Sequence, residues 1–224
     1  GASPADFSKS KTLMSSSTSS ARSNSSSSTS LLCNPKAANV MASSFPNHSL
    51  RAAQDSAFGS VSGTGCGAAG IAIAGERPQA RISATDVSAK ALKIGKYNAR
   101  NLKISNIQFI CSDWLSGISD EKFDLIISNP PYVDAKKIDN YEPASLSHEP
   151  RVALFADDNG ISCIKEIIQK SIKFLKRHSW LIIEHGHDQS DLCKQLMRSS
   201  QFKKIHTTLD YSGIGRITAG QRSD

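Results

Sequence analysis

The chain contains no run of roughly 18 to 20 apolar residues, the length a helix needs to cross a bilayer, so no membrane span is expected. Its five cysteines, Cys33, Cys66, Cys111, Cys163 and Cys193, include no C-x-x-C pair. Odd in number and scattered, they support neither a structural zinc nor a disulfide framework, and they suit a reducing compartment. Acids are scarce in the first sixty positions, where Lys9, Lys11, Arg22, Lys36 and Arg51 face only Asp6 and Asp55. About +3 of the formal net charge of +7 lies there, which leaves about +4 for the remainder. So mild a basic bias is compatible with a nucleic-acid or ribosome-associated partner and establishes none.

Apolar residues are also sparse at the start of the chain. From Ser8 to Ser30 more than half of the positions are serine. Such a segment buries too little to offset its ordering entropy and is expected to be disordered. We read residues 1–57 as a Ser-rich leader and 58–224 as one domain with a sizeable core. Serine with a few Lys and Arg resembles an organellar transit segment. The leader begins at Gly1 and shows no amphipathic Arg-bearing helix, so a non-native leader is the favoured reading. Cytoplasmic localisation is expected, with a mitochondrion or plastid as the alternative if the leader is a transit segment.

Beyond Ser62 strand and helix signals alternate. A helix is expected from Gly67 to Ala74, a strand from Arg81 to Thr85, and a helix from Ser88 to Leu102 with Ser88 as N-cap. Strands follow at Ile107–Cys111 and Asp124–Ser128. After a long loop, Ile161, Ile164, Ile167, Ile168, Ile172 and Leu175 show helical spacing, which predicts a helix from Asn159 to Arg177. Trp180–Glu184 reads as a strand, Ser190–Ser199 as a helix, and Phe202–Leu209 and Gly215–Ala219 as terminal strands. Repeated β-α units imply an α/β fold with a mostly parallel sheet covered on both faces. The last two strands have no helix between them, so an antiparallel pair should close the sheet.

Four elements carry chemistry. Ser62-Gly63-Thr64-Gly65-Cys66-Gly67 leads into an Ala-rich helix, and its glycines permit a tight turn that a ligand can approach closely. Gly65, Gly67 and Gly70 also match G-x-G-x-x-G, which brings a nicotinamide dinucleotide into consideration. Asp86 follows about twenty residues later at a strand's carboxyl end, where an acid can accept both hydroxyls of a ribose. Asp113-Trp114 closes the next strand and offers an adenine an aromatic partner. Asn129-Pro130-Pro131-Tyr132 ends the apolar run from Phe123 to Ser128. Its prolines remove two backbone donors, so carbonyls stand free of competing N–H groups beside the Asn129 amide and the Tyr132 ring. That set suits a planar NH2 group; the plainer reading is a Pro-Pro turn capping a strand. A dehydrogenase has no need of it, whereas S-adenosylmethionine with an NH2 acceptor fits all four elements together.

With His148-Glu149-Pro150-Arg151-Val152-Ala153-Leu154 and the ending Asp210–Ala219 added, these motifs resemble the HemK/PrmC protein-glutamine N5-methyltransferases over residues 63–224. The resemblance implies a Rossmann-like class I S-adenosylmethionine-dependent methyltransferase. It implies an enzyme that methylates the glutamine amide of the Gly-Gly-Gln motif in class 1 peptide chain release factors. By it, Gly63, Thr64, Gly65, Cys66 and Gly67 line the methionine part of the cofactor, Asp86 holds the ribose and Trp114 sits by the adenine. Asn129 lies next to the sulfonium and, with Pro130, Pro131 and Tyr132, binds the glutamine side chain. Glu149 and Pro150 shape the loop beyond. A monomer that requires no nucleic acid is expected. Two departures stand out: Val61 occupies a position that is acidic in the family, after a poor strand signal at Phe58-Gly59-Ser60, and no helical N-terminal domain is recognisable in residues 1–60. A DNA or rRNA amino methyltransferase, or an inactive truncated remnant, is the alternative.

Two further clusters are read plainly. Glu184-His185-Gly186-His187-Asp188 lacks other ligands at metal spacing and reads as a polar loop, so no metal is expected. Lys173, Lys176 and Arg177 read as the solvated end of a helix, where cations suit the dipole.

Overall fold

The computed structural model describes residues 57–134, 136, 151–210 and 212–223. The chain divides into two units, Gly1–Ser30 and Leu31–Asp224; the Ser-rich stretch and the expected disorder of the leader lie outside the described residues. Among the described residues no helix is long and apolar enough to cross a membrane.

Strand β1 (Phe58–Ser62) leads through the glycine turn to helix α1 (Ala68–Glu76), then β2 (Arg81–Asp86), α2 (Ala89–Asn101) and β3 (Ile107–Cys111). β4 (Phe123–Ser128) ends at the Asn-Pro-Pro-Tyr segment. A two-residue strand β5 (Val133–Asp134), a short helix α3 (Arg151–Leu154), β6 (Phe155–Ala156) and the four-residue segment α4 (Asp157–Gly160) precede α5 (Ser162–Phe174). β7 (Leu175–Glu184), α6 (Ser190–Ser199), β8 (Lys203–Leu209) and β9 (Gly215–Gln221) complete the order. The main sheet has seven strands in the order β3-β2-β1-β4-β7-β9-β8, and β5 pairs with β6 separately. The first five of those seven run parallel, while β9 is antiparallel to both β7 and β8. The expected sheet, including its antiparallel close, is therefore present.

Alternation along the strands sorts the core into two layers. Ile126, Leu181 and Ile183 meet Ile164, Ile167 and Ile168 of α5 and Met197 of α6 on one face. On the other, Val61, Ile82, Ile127 and Ile182 meet Ile73 and Ala74 of α1. The Ser88 side chain accepts a hydrogen bond from the Ala91 N–H at 3.2 Å, the expected N-cap.

Three expectations are corrected. Phe58-Gly59-Ser60-Val61 is a central strand despite its weak signal, because β2 and β4 pair with it on either side and supply what propensity does not. The helix expected from Asn159 begins only at Ser162, since Asp158, Asn159 and Gly160 hold left-handed φ of 54°, 55° and 80°. It ends at Phe174, so Lys176 and Arg177 open β7 instead of closing a helix. Fully buried Leu175 turns extended to pair with Phe123, and Lys176 Nζ then lies 2.8 Å from Asp124 Oδ2.

Ile164 is fully buried between α5 and the sheet. Ile164→Ala is expected to destabilise the fold by about 2–5 kcal/mol through lost burial and a residual cavity. Urea unfolding followed by circular dichroism measures it; a midpoint equal to the parent's would contradict this packing.

Candidate active site

Open α/β sheets bind ligands beyond the carboxyl ends of the strands, where the chain changes its direction of winding. Here the chain moves outward from β1 to β2 and β3, then returns to place β4 on the other side of β1. Ser62 pairs with Ser128 at the ends of those two strands, so the glycine turn and Asn-Pro-Pro-Tyr leave side by side. The Ser128 hydroxyl donates to the Ser62 carbonyl at 3.0 Å and ties the two exits together.

The glycine turn needs its glycines. Gly63, Gly65 and Gly67 have φ of 67°, 56° and 88°, in the left-handed region that side chains disfavour. A Cβ on Gly63 would lie 3.2 Å from Cζ3 of Trp114 and 3.5 Å from the Asn129 carbonyl oxygen, so those three residues meet there. Among the described residues a Cβ on Gly65 would meet nothing within 4 Å, which leaves the turn open to them on that side. The Thr64 N–H donates to the Thr85 carbonyl, and Asn98 of α2 donates to the Cys66 carbonyl at 3.2 Å. Asp86 Oδ2 accepts from the Gly65 N–H at 2.7 Å and Oδ1 from the Ser88 N–H at 2.8 Å. Each carboxylate oxygen keeps a further acceptor site. The buried hydroxyls of Ser62, Thr64 and Thr85, at the root of the turn, have no hydrogen-bond partner among the described residues. Trp114 has φ of 49° and packs against the α5 layer of the core.

On the other side Asn129 is exposed while Pro130 is buried. Tyr132 Oη donates to Glu184 Oε1 over a long 3.4 Å. Burial pushes the Glu184 carboxyl above its ordinary range; the Tyr132 hydroxyl and nearby Arg216 oppose that shift. The sequence thus led to Gly63, Asp86, Trp114 and Asn129 at one sheet edge, and the structure brings them to it. It gave no sign of Ser128 as a tie, Asn98 as a brace or Glu184 as the partner of Tyr132. Glu184 was visible only as part of an apparent metal cluster. Glu149 and Pro150 lie outside the described residues.

His185 is fully buried. Nδ1 lies 2.9 Å from the Gly186 carbonyl and must donate to it, so Nε2 accepts from the Thr218 hydroxyl at 2.8 Å. The hydroxyls continue through Thr207 to Ser190. Among the described residues no group of three His, Cys, Asp or Glu could hold a metal.

The strand order, the switch between β1 and β4 and the antiparallel end define the class I Rossmann-like methyltransferase fold. The chain belongs to the methyltransferase small domain family, whose model matches residues 36–152. A methyltransferase from Pyrococcus furiosus shares the fold with a TM-score of 0.61 at 12% identity, over 85% of this chain and 83% of that one. Release factor glutamine methyltransferase from Buchnera aphidicola subsp. Baizongia pistaciae is 38% identical over 71% of this chain. The Salmonella typhimurium protein of the same name is 36% identical over 71% of this chain. The chain spans 57% of the length of each of these two relatives.

Burial holds His185 below its ordinary value of about 6.5. The unfolded chain then binds the extra proton more readily, so this contribution is complete above about pH 6.5 and lost as pH falls through the lower folded value. Thermal unfolding between pH 5 and 7.5 should show the midpoint of the parent falling on acidification relative to His185→Gln. Parallel curves for the two proteins would refute it.

Proposed function

We propose that this chain transfers a methyl group from S-adenosylmethionine to the glutamine side-chain amide of the Gly-Gly-Gln motif in class 1 peptide chain release factors. The reading is supported by the shared name of the two relatives above and carried by one observation: Asn129 stands exposed against the open glycine turn. Residues 58–224 form the catalytic domain in this reading, and the chain acts as a cytoplasmic monomer that needs no nucleic acid.

The residues present fit the cofactor. Among the described residues Gly65 opens on free space, Asp86 retains acceptor capacity and Trp114 lies across Gly63. Gly63, Thr64, Gly65, Cys66 and Gly67 would hold its methionine part, Asp86 its ribose and Trp114 its adenine. When bound it supplies an electrophilic methyl group. Val61, 4% exposed within the apolar layer, offers no polar contact there.

The chain's own contribution is orientation. An amide nitrogen is a poor nucleophile because its lone pair is delocalised into the carbonyl. Asn129 Oδ1 and the Pro130 carbonyl accept the two N–H groups of the glutamine amide, which raises electron density on nitrogen and fixes its direction. Pro131 and Tyr132 flank the amide plane. Correct positioning of this kind lowers a barrier by as much as about 7 kcal/mol in favourable cases. Once nitrogen carries the methyl group it releases one N–H proton to solvent, so neither Asn129 nor Pro130 takes up a proton and no side chain is assigned as a general base.

Intact-peptide mass spectrometry of a class 1 release factor, after incubation with the chain and S-adenosylmethionine, should show one added methyl on the Gly-Gly-Gln glutamine. Asn129→Ala should lower turnover by roughly 100-fold or more through lost alignment while leaving the circular dichroism spectrum unchanged. An unmodified release factor, with an intact relative active in parallel, would refute the reading.

A further inference from the structure

We propose that Gln189 is the positioning residue of the acceptor side, holding Asn129–Tyr132 in place through its side-chain amide. The inference rests on the reading of that segment as the acceptor-binding element. Pro130 and Pro131 have no N–H, so the segment cannot be secured by donors of its own at those positions. Its fixation has to come from donors elsewhere.

Gln189 immediately precedes α6 and is 8% exposed. Its Oε1 accepts from the Gly186 N–H at 2.8 Å, and Nε2 donates to the Tyr132 carbonyl at 3.0 Å and to the Asn159 carbonyl at 3.1 Å. A backbone N–H requires an acceptor and two carbonyls require donors, so only one orientation of the amide satisfies all three. Both Nε2 hydrogens are committed. One planar group thus joins the β7–α6 turn, the end of the Asn-Pro-Pro-Tyr segment and the turn before α5.

Gly160 completes the clamp. Its φ is 80°, and a Cβ there would lie 2.1 Å from the Tyr132 carbonyl oxygen and 2.8 Å from Gln189 Nε2. Only a residue without a Cβ lets the chain at 160 pass beside the same carbonyl that Gln189 holds. None of the Gln189 hydrogen bonds reaches the glycine turn, so the clamp governs the acceptor side and leaves the cofactor side alone.

Two variants separate positioning from mere support of the β7–α6 turn. Gln189→Glu keeps an acceptor for Gly186 and removes both donors to the carbonyls; Gln189→Met removes all three bonds at similar volume. Both should lower kcat on the release factor roughly 100-fold while S-adenosylmethionine binding by calorimetry stays within about twofold. Hydrogen exchange at the amides of Tyr132, Val133 and Asp134 should quicken about tenfold in both, with β2 and α2 unchanged. Parent-like kcat and exchange in Gln189→Glu would overturn the proposal, since the Gly186 link alone would then account for the residue. If the parent chain leaves the release factor unmodified, the functional reading fails separately. The exchange measurement still decides the clamp, and unchanged exchange in both variants overturns it.

Discussion

The parallel pairing of β1 with β4 is the constraint on which the rest of the site depends. Parallel neighbours end at the same edge of a sheet, and Ser62 opposite Ser128 sets both exits at one level. Two proximities at the site follow from that register: the Asn129 carbonyl beside Gly63 and the Ser128 hydroxyl on the Ser62 carbonyl. A slip of one residue would turn Val61 and Ile127 out of one apolar layer and Ile126 out of the other. Register is therefore enforced by the core on both faces, far from any reacting group.

Beyond β4 the sheet supplies a buried polar frame. Glu184 ends β7 and His185 follows it, and burial shifts the two in opposite directions, the carboxyl upward and the imidazole downward. Each is thereby biased toward its neutral form. A neutral imidazole can accept from Thr218 while donating to Gly186, which a doubly protonated ring cannot do. The hydroxyl row from Thr218 through Thr207 to Ser190 then couples β9, β8 and α6 without placing a charge in the interior.

Much of this was legible in the sequence. Strands β2, β3 and β4, helices α2 and α6 and the antiparallel close follow from hydrophobic period and turn residues, which are local signals. The placement of Gly63, Asp86, Trp114 and Asn129 at one sheet edge could be anticipated because each follows or ends a strand of one parallel sheet. Other elements were hidden for a physical reason. Phe58–Ser62 has weak strand character and is held by neighbours that are distant in the chain. Lys176 and Arg177 extend a helical charge pattern, yet buried Leu175 switches the backbone one residue earlier. Gln189 has no periodicity or motif to mark it, since its meaning lies in three backbone groups brought together by the fold.

The two loops at the switch point solve opposite problems. The glycine turn is bare, with positive φ at three positions and backbone amides braced by Thr85, Asp86 and Thr64. Among the described residues nothing would meet a Cβ on Gly65, so the main chain there is open to close approach. The Asn-Pro-Pro-Tyr segment has fixed φ at its two prolines and no N–H at either, so its carbonyls there accept hydrogen bonds with no backbone donor beside them. A segment rich in acceptors can recognise an NH2 group only if its carbonyls stay where they are. Gln189 and Gly160 meet that need from behind, at the Tyr132 carbonyl, and Ser128 meets it at the start. On the proposed reaction, alignment is the whole of the protein's task, since Asn129 and Pro130 give orientation and take no proton. Rigidity on the acceptor side and openness on the cofactor side are then two consequences of one requirement: a nitrogen must be aimed at a carbon held by a different loop.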